Sequence, residues 1–373
     1  MYAVAGATGP SGSVGTDGAP KGRQKAVTSV TAMNVKPRRV EWLLPGLIPF
    51  GAITVLSGQP GLGKSLLTVK LAADFSAGRL DRRGDVLMFT AEDPTAEVVV
   101  PRLMAARAKL TAIHFGELND NGLSIPLRFP SDTKGLRELA REHEARLIVI
   151  DPLTAHLAGN VDSFKDQSIR EALAPLAALA EERRLAIVVV AHLNKGQSTD
   201  PIQRLGGSVG LPAAARSVLL LGRDPDDPDG PGGSGRVLAH VKSNFAPPAP
   251  SWALRIVSAT VDDWLGQFET AEIIEVGPSP YLGPDLLASS SENGGLPKVM
   301  SEAVTFLREV LSGGPLKMTD VEGEAEQAGL SWETVKRAKK HAGVETRKQR
   351  GVLNGPWLWE LAKQPRTKEL RGA

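Results

Sequence analysis

The run Gly58-Gln59-Pro60-Gly61-Leu62-Gly63-Lys64-Ser65 limits what this chain can fold into more than any other feature. It fits G-x-x-x-x-G-K-[ST] in full, and it lies between a short apolar run at 53–57 and a helical pattern from Lys64 to about Ala77. Strand, glycine turn and helix in that order are the context in which this motif cradles phosphate. Glycines let the backbone curl so that successive N–H groups face phosphate oxygens, and the first turn of the helix adds the positive end of its dipole. Lys64 is then placed to reach the β- and γ-phosphates, and the Ser65 hydroxyl to hold Mg²⁺. The ligands this predicts are ATP and Mg²⁺; the alternative is a chance glycine-rich turn.

The pattern around the loop repeats one theme. Apolar runs at 85–90, 147–150, 186–191 and 217–222 alternate with helical stretches, one following Pro94 to about Leu110 and one over 167–184. Continuous apolar strands alternating with helices predict an α/β fold, a mostly parallel sheet with helices on both faces. Stretches 236–243 and 252–257 flank a turn containing Pro247, Pro248 and Pro250 and read as hairpin strands added at the sheet edge.

In open α/β sheets, ligands sit beyond the carboxyl ends of the strands, and polar residues fall there. Asp151 closes Leu147-Ile148-Val149-Ile150, a Walker-B pattern whose carboxylate can serve the Mg²⁺ shell opposite Ser65. Glu92 follows the second strand and is the candidate general base, with Asp93 its local rival and helix capping the bland alternative. His192 ends the fourth strand, where a polar side chain can contact the γ-phosphate or its water; a structural histidine is the other reading.

Taken together these residues resemble the RecA-like ATPases, and within them the RepA-type hexameric replicative helicases. The likeness runs from Trp42-Leu43-Leu44-Pro45-Gly46-Leu47-Ile48-Pro49-Phe50-Gly51 through the phosphate loop, Ala91-Glu92-Asp93-Pro94, 147–151 and His192-Leu193-Asn194-Lys195. It continues to Gly206-Gly207-Ser208, Ala215-Arg216-Ser217 and Val241-Lys242-Ser243-Asn244, covering roughly residues 40–260. The resemblance implies a catalytic Glu92, a metal-associated Asp151 and a sensor His192. It implies an arginine finger at Arg216, reaching the nucleotide of a neighbouring subunit, with Lys242 beside it at that interface. A cation delivered in trans neutralises the transition state and couples hydrolysis to assembly; an intrachain salt bridge is the alternative for Arg216. A homo-oligomer, a hexamer in that family, follows. So does single-stranded DNA, gripped by loops 159–166 (Asn160, Lys165) and 195–210 (Lys195, Gln197, Arg204), where Phe164 is the single aromatic. Mobile surface loops are the alternative there.

Outside this core, residues 1–37 are rich in Gly, Ala, Ser and Thr and read as a disordered, mildly basic arm. The core is expected over 38–275, a linker over 276–297, a small domain over 298–364 and a tail over 365–373. The small domain reads as helices at 299–311 and 318–328, a third helix capped by Ser331, and two short segments at 345–350 and 356–361. This resembles a winged helix-turn-helix. Between Ser331 and Arg350 the cations are Lys336, Arg337, Lys339, Lys340, Arg347, Lys348 and Arg350 against the acids Glu333 and Glu345, a balance of 7 − 2 = +5. Basic charge on a third helix suits a major groove; a protein-interaction module is the alternative.

The chain has no cysteine, which excludes disulfides and thiolate metal sites. Residues 1–20 lack a signal-peptide core, and the apolar stretch 42–56 is broken by Pro45, Gly46, Pro49 and Gly51, so a soluble cytoplasmic protein without a membrane span is expected. The function expected is Mg²⁺-dependent ATP hydrolysis coupled to DNA, as a replicative helicase or helicase loader of plasmid, phage or mobile-element type. The alternative is a DNA-binding regulator that uses ATP as an assembly switch.

Overall fold

The computed structural model describes residues 29–120, 123–162, 165–194, 196, 198, 200–205, 210–263, 266–288, 298–348 and 355–361. The chain divides into two units, Met1–Arg39 and Val40–Ala373. In the first, a 3-10 turn at Ala32–Asn34 is described; the rest of the expected arm, residues 1–28, lies outside the described residues, as does the tail.

The second unit is built on one nine-stranded sheet. Its strands are β1 (Ala52–Gly58), β2 (Val86–Thr90), β3 (Ile113–Phe115), β4 (Leu147–Asp151), β5 (Ala186–His192), β6 (Ser217–Arg223), β7 (Gly235–Ser243), β8 (Ser251–Asp263) and β9 (Gly266–Ser279). Their order across the sheet is β9-β8-β7-β6-β1-β5-β4-β2-β3. Every pairing from β6 to β3 is parallel, and β7, β8 and β9 extend the sheet antiparallel. This is an α/β core, a mostly parallel sheet extended by three antiparallel strands.

Parallel strands need both faces covered, and the side-chain alternation along each strand supplies two cores. Leu56, Met88, Val149 and Val188 join Leu66, Val69 and Phe75 of α1 (Lys64–Ser76) and Leu103 of α2 (Val100–Ala105). Val55, Phe89, Ile148 and Val189 join Leu136 of α3 (Thr133–Glu142) and Leu173 and Leu176 of α4 (Asp166–Arg183) on the other face. The helix expected after Pro94 is shorter than the sequence suggests. A π-helical turn at Thr95–Val99 precedes α2, and Arg107 then takes a left-handed φ of 54°. Pro101 has no N–H to donate to the preceding turn, and the left-handed residue ends the helix.

The stretch expected as linker contains regular structure over its described part, residues 276–288. β9, the edge strand, runs to Ser279 and α5 (Gly283–Ala288) packs Leu286 and Leu287 against β6 and β7. β9 carries Glu269, Glu272 and Glu275 around a buried Ile273, so it lacks the apolar run that marks the inner strands. Charged edge strands of this kind discourage pairing with other chains.

Beyond it come α6 (Lys298–Val310), β10 (Leu316–Lys317), α7 (Met318–Gln327), α8 (Trp332–Ala342), β11 (Val344–Lys348) and β12 (Trp357–Leu361). The three strands form an antiparallel sheet in the order β10-β12-β11. Ser331 caps α8 as expected, its hydroxyl accepting from Thr334 N at 3.2 Å. Trp332 stacks on Trp359 at 5.1 Å, and one apolar cluster runs from Leu220, Val237 and Ala239 through Tyr281 and Leu286 to Met300, Val335 and Trp359. Among the described residues, no helix is long and apolar enough to cross a membrane.

Candidate functional site

The phosphate loop bridges the carboxyl end of β1 and the first turn of α1. Its backbone needs glycine at two places for different reasons. Gly63 has φ 89°, a left-handed value that favours glycine, and a Cβ there would meet Ile256 Cδ1 of β8 at 2.9 Å. A Cβ on Gly58 would lie 2.5 Å from the Leu221 carbonyl oxygen of β6. Across the loop, the buried Arg236 of β7 donates from Nε to Leu62 O at 3.0 Å, and from Nη1 to Gly233 O and Gly235 O. Arg236 and Ile256 hold the loop from outside the motif, and no local pattern in the sequence marks them.

Lys64 is 5% exposed and folds back on the loop, donating to Gly58 O at 3.0 Å and Gln59 O at 2.8 Å. Burial draws its ammonium down to about 8, with Asp151 and Glu92 opposing that shift. Asp151 ends β4, opposite the start of α1. Burial pushes its carboxyl up to about 6, against a hydrogen bond with Ser65 and the charge of Lys64; Asp93 and Glu92 add to the rise. Ser65, Thr68, Thr90, Glu92, Asp93 and Asp151 line one small pocket.

The two carboxylates after β2 differ in how they are held. Asp93 Oδ2 accepts from Arg102 Nη1 of α2 at 2.6 Å. Glu92 is 65% exposed at its side chain, and its Oε1 stands 4.0 Å from His192 Nε2. Burial, and then the nearby Lys64, hold the His192 imidazole below its ordinary value, with Glu92 opposing. His192 is therefore neutral near pH 7, able to exchange hydrogen bonds with a phosphate oxygen or water. The structure thus brings Lys64, Ser65, Glu92, Asp151 and His192 to one end of the sheet. The ammonium tethered to its own loop carbonyls, beside Ser65 and Asp151, is a donor set that fits a triphosphate and a Mg²⁺ ion.

Arg216 and Lys242 sit elsewhere. Ser217 pairs with Thr54, and Arg216 N donates to Ile53 O, so Arg216 lies at the amino end of β6. At ~3.3 Å per residue, that is about 16 Å along β1 from Gly58. Arg216 is exposed. Lys242 Nζ donates to Pro212 O at 2.6 Å and Ala215 O at 3.1 Å. Burial, and then Arg216, pull its ammonium below the usual lysine value. Neither cation can touch phosphates on the chain's own loop. Of the two polar loops, Lys165 is exposed beside Asp162 at 3.6 Å, and Arg204 Nε donates to Asn194 O at 3.1 Å. Phe164, Lys195, Gln197 and Gly206-Gly207-Ser208 lie outside the described residues.

The raised Asp151 carboxyl sets an expectation for stability. The folded state keeps that proton up to about pH 6, whereas an unfolded aspartate releases it near ~3.9. The folded state therefore binds more protons across that window, and ionised Asp151 costs stability that grows from pH 4 to 6 and is complete above it. Asp151→Asn should stabilise the nucleotide-free protein by about 2–3 kcal/mol at pH 7.5, since a rise of about two pKa units, with the attraction of Lys64 already included, is worth ~1.4 kcal/mol per unit. Urea unfolding at pH 4 and 7.5 checks it: equal differences between variant and parent at both values would refute the assignment.

A family model described as AAA domain matches residues 20–198. The DNA repair protein RadA of Streptococcus pneumoniae (strain ATCC BAA-255 / R6) is 22% identical over 183 residues, 47% of this chain and 39% of RadA. The chain thus spans about two-fifths of that relative's length. Among solved structures, one isolated ATPase domain is 14% identical with a TM-score of 0.42, over 55% of this chain and 81% of that one. A DnaB-like replicative helicase, solved in a study of its interactions with primase, is 16% identical with a TM-score of 0.43, over 56% and 55%. The family match and the geometry of the loop agree on a nucleotide-binding core built around the phosphate loop.

Proposed function

We propose that the chain is an oligomeric, Mg²⁺-dependent ATPase of the RecA-like kind that works on DNA, as a replicative helicase or a helicase loader. The observation that carries this is the grouping of Lys64, Ser65, Glu92, Asp151 and His192 at the carboxyl ends of β1, β2, β4 and β5, with exposed Arg216 at the far end of β6. Lys64 exchanges its loop carbonyls for the β- and γ-phosphate oxygens, and the loop N–H groups neutralise the same charge. Ser65 and Asp151 would hold Mg²⁺, which when bound would supply further neutralisation of the phosphate oxygens. Glu92 takes the proton of the attacking water as its oxygen bonds to the γ-phosphorus and the bond to the β-phosphate oxygen breaks. His192, neutral and close to Glu92, reports whether the γ-phosphate is present. Arg216 completes the site of a neighbouring subunit, because its own loop is out of reach.

DNA enters the reading through the loops after β4 and β5 and through the C-terminal domain. The helix–strand–helix–helix–strand–strand order of that domain, with its sheet order β10-β12-β11, supports a winged helix-turn-helix with α8 as the recognition helix. The similarity to RadA, a DNA repair protein, is in keeping with this.

ATP turnover measured with and without single-stranded DNA tests the proposal. Single-stranded DNA is expected to stimulate phosphate release at least severalfold. Mixing inactive Lys64→Ala with inactive Arg216→Ala protein is expected to restore part of the activity, since mixed assemblies contain some intact sites. Turnover indifferent to DNA together with no recovery on mixing would discard the helicase reading. The second reading, a regulator that uses ATP as an assembly switch, is favoured by the basic charge on α8; slow turnover with tight duplex binding would select it.

A further inference from the structure

The exposed face of α8 does not stand free. Val335, Ala338 and Ala342 are buried toward the domain's own core. Helical spacing then places Glu333, Lys336, Arg337 and His341 on the outer face. One flank of that face, Arg337 and His341 one turn apart, meets the core loop between β6 and β7. Arg337 Nε lies 3.4 Å from Asp226 Oδ2, and His341 Nε2 lies 4.0 Å from Asp226 Oδ1. The Arg337 guanidinium also sits 5.9 Å from the ring centre of the buried Tyr281. Burial pushes the Asp224 carboxyl up, and Arg337 is among the charges opposing that shift.

The loop is built to present this charge. It carries Asp224, Asp226, Asp227 and Asp229 in close succession. Asp224 Oδ1 accepts from Asp226 N and Asp227 Oδ1 from Asp229 N, each at 3.0 Å, while Asp227 Oδ2 takes the N–H of Gly235. Two of the carboxylates thus brace the loop, and Asp226 is turned to α8 and to the buried Tyr281 side chain. The contact is loosely made. Its ion pair is long, Arg337 Nη1 is buried without a hydrogen bond, and a cleft of about 480 Å³ runs beside it, lined by Asp224, Asp226, Arg255, Arg337 and His341.

We propose that Asp226 is an internal stand-in for a nucleic-acid phosphate: it occupies Arg337 and His341, and the chain binds duplex DNA through α8 only by displacing it. This rests on the reading of the C-terminal domain as a duplex-binding module. A ligand that must first displace an internal competitor binds more weakly by the fraction of molecules in which the competitor is away. The core thereby restrains the basic helix of its own chain.

Duplex affinity of the full chain, measured by anisotropy with a fluorescent duplex of about 20 base pairs, roughly two turns of DNA, tests this through a double-mutant cycle. Asp226→Ala is expected to tighten binding about tenfold, which corresponds to a contact open in about a tenth of molecules. Arg337→Ala alone is expected to change affinity less than about twofold, because that arginine is already engaged, and in the Asp226→Ala background it should abolish the gain. Asp229→Ala removes the same charge from the same loop without an ion pair to α8 among the described residues, and should leave affinity within about twofold. Equal gains from Asp226→Ala and Asp229→Ala, or a gain that survives Arg337→Ala, would overturn the proposal in favour of a diffuse charge effect. The same cycle in thermal unfolding reports the contact without DNA. Coupling there with no duplex binding by any variant would overturn the duplex-binding reading, and the phosphate-mimic role with it.

Discussion

Lys64→Ala should lower ATP turnover by about a thousandfold, the upper range for removing one preorganised donor from a developing negative charge. Among the described residues, Lys64 is the cation seated inside the phosphate loop, where its ammonium is largely desolvated and its reach is limited to loop carbonyls and whatever lies over them. Binding of a fluorescent ATP analogue should weaken as well, because the same ammonium meets the ground-state phosphates. The substitution also removes a buried charge held below its ordinary pKa, so the fold should survive it. Phosphate release measured beside circular dichroism separates the two effects. Turnover within about tenfold of the parent in a folded variant would remove Lys64 from the reaction.

Glu92→Gln is expected to reduce kcat by roughly 10²–10⁴, the usual contribution of a positioned general base, while ATP binding stays close to that of the parent. The reason for choosing Glu92 over its neighbour is a contact: Asp93 is committed to Arg102, whereas Glu92 faces solvent within 4.0 Å of His192. Asp93→Asn should therefore cost stability on the scale of a half-exposed ion pair, roughly 1 kcal/mol or less, with kcat changed only a few-fold. Single-turnover kinetics on both variants decides between them. A large fall in kcat for Asp93→Asn with Glu92→Gln near normal would reverse the assignment.

These expectations draw unequally on sequence and structure. The phosphate loop, α1, and the inner strands β1, β2, β4, β5 and β6 were legible along the chain to within a residue or two of their ends. So was the placing of Glu92, Asp151 and His192 after apolar runs. β9 and α5 were not legible, because an edge strand with Glu269, Glu272 and Glu275 interrupting its apolar residues carries no buried-strand signal, and a single short helix carries no periodicity. Arg102, Arg236 and Ile256 were missed because each acts on the loop or its neighbour from a distant part of the chain, and no spacing announces them.

By itself the sequence determined where the phosphate-loop motif lies and which strand and helix flank it. That motif is contiguous, and its demands on glycine, lysine and hydroxyl are local ones that each residue meets through its own backbone and side chain. Only the tertiary structure decided that Asp93 is committed to Arg102 while Glu92 faces solvent beside His192, that Arg216 lies at the opposite end of the sheet from its own loop, and that Arg337 faces Asp226. Those depend on strand register and on which loops the fold packs together. Such pairings are energies between residues remote in the chain, so they exist only once the path of the chain is fixed.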